Sequence, residues 1–359
     1  MESTGKAQLR LDFVKEAIDS FIKAGDPTSY VTIVEKAQEA NVWGDLVKYL
    51  RMARKKTKNS SVESELVFAL AKINRLREME DLLSASHSAD VLRIGDRCYE
   101  QNMYEAAKIL YNSISNFARL AQALVHLKEF QCAVDCARKA NNTQTLKEVC
   151  YACLDQREFR LAHMCGLHIA VHADELEELI HYYEETGNFE ELITLLESAL
   201  GMERAHMGIF TELAILYSKH EPIKMREHLE LFWSKVNIPK VIRAAEQAHL
   251  WADIVFLYDK YQEYDNAILI MIEHPTDAWK EGHFKDVITK IANVELYYKA
   301  VQFYLEYKPL LLNDLLVVLT PRLDHTRTVN MFITNGNLRL IKAYLRTVQP
   351  LNNKAVNEA

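Results

Sequence analysis

Glycine and proline are scarce in this sequence, with 10 and 7 copies in 359 residues. Tight-turned sheets, phosphate-cradling loops and flexible linkers all draw on those two residues. Their shortage weighs against sandwiches and Rossmann-type folds and favours helix. Long apolar runs are also missing. None approaches the ~18 residues of a membrane span, and no apolar leader opens the chain. Six cysteines are few for a disulfide framework in a chain this long, so a reducing cytosol is the simpler setting. An excess of positive charge is absent: 43 Lys and Arg stand against 50 Asp and Glu, a net charge of −7, which argues against a nucleic-acid partner. Gly-x-Gly-x-x-Gly, the Walker loop, Gly-x-Ser-x-Gly and His-Glu-x-x-His do not occur. The expectation is a protein that is not an enzyme, with no cofactor and no metal.

What the chain does contain is a repeat. A polar, turn-like residue or two precedes an aromatic residue or Leu, and apolar residues follow three, four and seven positions on. That spacing lays one apolar stripe along a helix. Trp43, Leu46, Val47 and Leu50 follow it, as do Phe130, Ala133, Val134 and Ala137. Phe189, Trp251 and Phe284 open further copies, and weaker ones begin at Leu76, Tyr104, Phe159 and Leu338. The intervals are mostly roughly 26 to 34 residues, the length of one helix-turn-helix unit. Two helices of about a dozen residues are too short to stand alone in water. Stacked neighbours bury each other's stripes instead. The expected fold is all-α: an α-solenoid of stacked short antiparallel helical hairpins, a TPR-like superhelix forming an elongated rod. An ordinary helical bundle is the alternative, but a bundle needs no fixed period.

A longer period lies over the short one. Asn41-Val42-Trp43-Gly44-Asp45-Leu46 is echoed by Gly187-Asn188-Phe189-Glu190-Glu191-Leu192 and again by Gly336-Asn337-Leu338-Arg339-Leu340-Ile341. The anchors Trp43, Phe189 and Leu338 stand 146 and 149 residues apart, room for five hairpins. The organisation expected is the end of a preceding repeat at 1–20, five-hairpin units at 21–163 and 164–313, and the start of a third, truncated unit at 314–359. The polar stretch Leu351-Asn352-Asn353-Lys354 comes soon after a hairpin has begun, and both ends read as cut from something longer.

At this point the sequence resembles the clathrin heavy chain repeat family. The super-repeat of five hairpins matches, and so do particular stretches. They include Cys165-Gly166-Leu167-His168, His172-Ala173-Asp174-Glu175-Leu176, Met225-Arg226-Glu227-His228-Leu229-Glu230-Leu231-Phe232-Trp233, and Lys308-Pro309-Leu310-Leu311-Leu312-Asn313-Asp314. Pro321-Arg322-Leu323-Asp324-His325 belongs with them. The resemblance covers essentially the whole chain and points to the proximal leg, on the knee side. It implies a structural segment of the coat, serving vesicle-mediated transport and endocytosis on the cytoplasmic face of coated pits and vesicles. The implied partners are clathrin light chain and other heavy chains, through lattice contacts and the trimer of the full-length protein. Contact with the membrane is only indirect, through the coat. The alternative is a peptide-binding α-solenoid adaptor or a vacuolar-sorting subunit with a related repeat.

Several residue groups invite a chemical reading. Cys132 and Cys136 lie four apart, and Cys150 and Cys153 form Cys-x-x-Cys, a spacing that serves zinc but equally fills a helical core. His168 and His172 are one helical turn apart, with His163 near; they read as surface histidines, a metal pair, or a proton switch. The resemblance implies that His168, His172 and His325 lie at pH-sensitive leg–leg contacts. Lys219 and Lys308 each follow an aromatic-rich helix and precede a proline. On the residues alone they are snorkelling helix-end lysines; the resemblance implies that they grip the light chain. Trp233 and Trp251 are core residues or apolar anchors for that partner. The basic run Arg51, Arg54, Lys55, Lys56 and Lys58 reads as a helix C-terminus and solvated loop. Glu175, Glu177 and Glu178 read as a solvated face.

Overall fold

The repeat's anchor residue turns out to be a boundary mark. In the computed structural model, which describes residues 2–10, 13–351 and 353–359, it is the first residue of a hairpin's second helix. Trp43 opens Trp43–Lys56, Leu76 opens Leu76–Ser84, Tyr104 opens Tyr104–Ser113, and Phe130 opens Phe130–Ala140. Phe159, Phe189 and Trp251 open Phe159–Ala170, Phe189–Leu200 and Trp251–Lys260 in the same way. Met1, Leu11 and Asp12 of the expected N-terminal segment, and Asn352 of the polar stretch, lie outside the described residues.

Two residues before the anchor the backbone turns left-handed. Asn41, Asn74, Asn102, Lys128, Arg157 and His249 have φ between 56° and 62°. The next N–H then reaches back to the carbonyl five residues earlier: Val42 to Ala37 at 3.0 Å, Met103 to Cys98 at 2.9 Å, Glu158 to Cys153 at 2.8 Å. This Schellman closure ends the first helix and starts the second within two residues. Gly187 and Gly336 hold the same slot before Phe189 and Leu338, but most of these tight turns are made without glycine, because Asn and even Lys and Arg take the left-handed slot. A side chain there costs about 1–2 kcal/mol. Lys128→Gly or Arg157→Gly is expected to stabilise the protein by about 0.5–1 kcal/mol each, after the extra entropy of glycine in the unfolded chain. Urea midpoints read this directly.

The first helix of a hairpin is started differently. Asn59, Asp90, Asn116 and Asn142 each occupy the N-cap and accept from a backbone N–H two or three residues on. Asn237, Asn293 and Asp324 do the same later in the chain. Each such cap contributes about 1 kcal/mol. Hairpins thus alternate a side-chain cap between units with a left-handed turn inside them.

Among the described residues there are twenty-six α-helices, five 3-10 segments and no strand. They fall into two compact units that divide between Glu191 and Leu192, in the first turn of Phe189–Leu200. In each unit a helix packs on the next and on the next but one, which is hairpin stacking. In the first unit the buried Tyr49 meets Phe21 edge-on and donates to the Asp26 carbonyl at 2.9 Å. The second unit holds a continuous core in which Phe284, Tyr304, Leu316, Phe332 and Tyr344 are fully buried. Two late copies of the repeat depart from the pattern. Phe284 is the fourth residue of Glu281–Ile288, and Leu338 opens a 3-10 turn, Leu338–Ile341. Further 3-10 turns, Pro309–Leu311, Thr320–Arg322 and Gln349–Leu351, each contain a proline near their start, where the missing N–H is least costly.

Candidate functional site

Stacking puts residues about one hairpin apart in sequence side by side, and polar bridges join them. Arg51 reaches Glu78 at 2.5 Å, Tyr182 donates to Asp155 at 2.6 Å, and Arg226 grips Asp253 at 2.7 Å. Lys147 is nearly buried between Glu175 at 2.8 Å and Glu178 at 2.9 Å. Those two hydrogen bonds hold its ammonium above the usual lysine range. Of the three acidic residues read as a solvated face, only Glu177 is left without such a bridge. The periodicity locates them on the outer side of a helix but carries no sign of a lysine from the preceding hairpin.

The basic run ends Trp43–Lys56 as expected, with Arg54, Lys55 and Lys56 in the last turn. Arg54 pairs with Glu63, and the Lys56 ammonium donates to the Gly25 carbonyl at 2.9 Å.

His168 and His172 do not share a helix. Phe159–Ala170 stops two residues short of His172, which is the N-cap residue of Ala173–Glu185. Both are exposed. His172 stands in the slot that other hairpins fill with Asn or Asp, yet it makes no side-chain cap bond. Partial burial, and then the Arg138 charge, hold the His168 imidazole below its ordinary pKa. His325 is half-buried at the start of His325–Thr334, with its Nδ1 2.5 Å from the Tyr344 hydroxyl. That ring is engaged inside the fold.

Lys219 and Lys308 both sit at helix ends, but not at the same register. Lys219 is the penultimate residue of Met207–His220 and exposed. Lys308 is the C-cap residue of Val294–Tyr307, with its ammonium 4.4 Å from the centre of the Trp279 ring. If the two helices are aligned by the prolines that follow, Pro222 and Pro309, Lys308 falls opposite Glu221. The same alignment pairs Ile223 with Leu310. These are 85% and 96% exposed, each an aliphatic side chain held in water just after a proline and a few residues along the chain from one of the lysines. The pair lies outside the sites expected from the sequence, where its one signal is Pro followed by Ile or Leu at matching register. Trp233 and Trp251 are half-buried. Trp233 meets Tyr261 edge-on at 5.5 Å, and Trp251 stacks on His274 at 3.6 Å.

Cys150 and Cys153 are buried in Thr143–Asp155, whereas Cys132 is exposed and Cys136 half-buried on Phe130–Ala140. Burial pushes the Cys150 and Cys153 thiols up. Among the described residues no three His, Cys, Asp or Glu side chains converge as metal ligands, and no helix is long and apolar enough to cross a membrane.

Short helical hairpins stacked with bridged outer edges define a repeat protein of the α-solenoid class. The family model named Clathrin, described as a region in clathrin and VPS, matches residues 21–161 and again 167–312. The chain belongs to this clathrin repeat family. It is 67% identical to "Clathrin heavy chain" of Drosophila melanogaster over 354 residues, covering 99% of this chain and 21% of that relative. It is 66% identical to "Clathrin heavy chain 2" of Homo sapiens, covering 99% of this chain and 22% of that one. Identity to "Clathrin heavy chain 1" of Oryza sativa subsp. japonica is 54%, at 99% and 21% coverage. The chain thus spans about a fifth of the length of the curated relatives it matches.

Proposed function

We propose that this chain is a structural segment of a clathrin coat: a heavy-chain leg that packs against other legs in a polyhedral lattice and binds clathrin light chain. It serves vesicle transport and endocytosis from the cytoplasmic face of coated pits, touches membrane only through the coat, and catalyses no reaction. The observation that carries this reading is identity of 52–67% to clathrin heavy chains along 99% of the chain. That likeness along the whole of this chain favours a coat leg over a vacuolar-sorting subunit, although the family description includes both. The units 21–163 and 164–313, with a third begun at 314–359, are proposed as repeats of the leg; the two matched stretches support them. Weak contacts repeated along such legs sum by multivalency, which permits both assembly and release.

The light-chain grip is assigned to Lys219 and Lys308. In support, each is followed within four residues of sequence by an exposed aliphatic side chain, Ile223 or Leu310, and an acidic amphipathic helix pairs cationic with apolar contacts. The double variant Lys219→Glu/Lys308→Glu is expected to bind light chain at least about tenfold more weakly, with the loss greatest at low salt. Calorimetric titration that returned unchanged affinity would remove the assignment.

His168, His172 and His325 are proposed at leg–leg contacts sensitive to pH. The support for His172 is that it forgoes a cap that its counterparts make. His172→Asn is therefore expected to raise stability by about 1 kcal/mol through the restored cap, while weakening assembly at mildly acid pH. Light scattering of assembling full-length protein tests this, and assembly equal to that of the parent would count against the contact.

A further inference from the structure

The Cys132–Cys136 pair takes no part in the proposed scaffold function. The two residues lie four apart on Phe130–Ala140, on one face of the helix, with Cβ atoms about 5–6 Å apart. Cys132 is exposed and Cys136 half-buried, while Cys98, Cys150, Cys153 and Cys165 are all buried. The face is braced. Gln131 donates to Asp135 within the helix and accepts from Arg160 of the next hairpin at 3.0 Å. Lys108, beside Cys132, is tied to Glu129 at 2.9 Å. No third ligand of metal type converges here among the described residues, so a four-coordinate ion such as zinc is poorly served. A centre that needs two sulfurs and brings its own third substituent fits.

We infer that Cys132 and Cys136 form a chelating dithiol site for a monosubstituted trivalent arsenical. Cys132, the open thiol, attacks first. Its S–H bond breaks, an As–S bond forms, and one hydroxide leaves arsenic with the thiol proton as water. Cys136 closes the ring in the same way with loss of a second water. Arsenic remains trivalent throughout and nothing is oxidised or reduced. Burial raises the Cys136 thiol, which sets the order of the two steps but not their outcome. Ring closure within one helical turn provides the gain: a second bond made at high effective concentration is worth roughly 10²–10⁴ in retention over a single thiolate.

The test uses the folded 359-residue chain and methylarsonous acid, with intact mass as the readout. One methylarsenic group per chain is expected, with two hydrogens lost. It should resist glutathione and be removed by 2,3-dimercaptopropanol. Cys132→Ser and Cys136→Ser should each abolish the glutathione-resistant adduct while far-UV circular dichroism stays unchanged. Two outcomes would overturn the site. One is an adduct of equal occupancy in either variant, which would place it among the buried cysteines, where Cys165 lies close to Cys150 and Cys153. The other is an adduct on the parent chain that glutathione strips.

Discussion

Phe284→Ala is expected to cost the second unit about 3–5 kcal/mol, the range for emptying a fully buried aromatic site. Phe284 has no exposed surface. Its ring lies 6.2 Å from Phe303 and 5.3 Å from Tyr304, both from the following helix, Val294–Tyr307. Stacked hairpins leave little freedom to collapse into the void, because each helix is held by neighbours on both sides. The loss should be regional. Amides of Tyr264–Glu273 and Val294–Tyr307 should exchange faster, since both helices share the core that Phe284 fills. Hydrogen exchange with a urea titration checks both statements. A cost under about 1 kcal/mol would mean that the core repacks around the missing ring.

The second large effect depends on pH. His228, in Pro222–Phe232, is buried among Phe210, Tyr217 and Phe232, and its Nε2–H donates to the Phe210 carbonyl at 2.8 Å. The surroundings offer the imidazolium no carboxylate: Tyr217 donates its hydroxyl to Glu197, and Lys235 lies against the Phe210 and Phe232 rings. Burial holds the His228 pKa below its ordinary value, against the opposing pull of the Phe210 hydrogen bond. The sign follows. Above the unfolded value of about 6.5 both states are neutral and nothing is lost. Below it the unfolded chain takes up a proton that the folded one refuses, so stability falls by up to about 1.4 kcal/mol per pH unit until the folded pKa is reached. His228→Phe removes the titrating group. Urea midpoints compared at pH 7.5 and 5.5 should fall less in the variant than in the parent. An equal drop in both would show that other groups carry the acid sensitivity.

Much of this architecture is legible along the chain. The apolar stripe at three-, four- and seven-residue spacing marks the second helix of most hairpins to the residue, because the aromatic anchor must follow the turn. Asn59, Asn116 and Asn142 announce the alternate helices because only a short polar side chain caps them well. Less legible is where the turns come from. Lys128 and Arg157 have no preference for a left-handed backbone, and the demand for a two-residue turn between packed helices overrides their local tendency.

The sites divide in the same way. Lys219 at a helix end and the basic run after Arg51 follow from local pattern alone. The sequence did not reveal that Lys308 rests on Trp279, that Lys147 is held by Glu175 and Glu178, or that His168 and His172 start from different helices. Periodicity states which face of each helix is apolar, and so determines that hairpins stack and roughly how often. It does not state which side chain on one hairpin meets which on the next. That register is set where whole helices come into van der Waals contact, and only the folded stack fixes it.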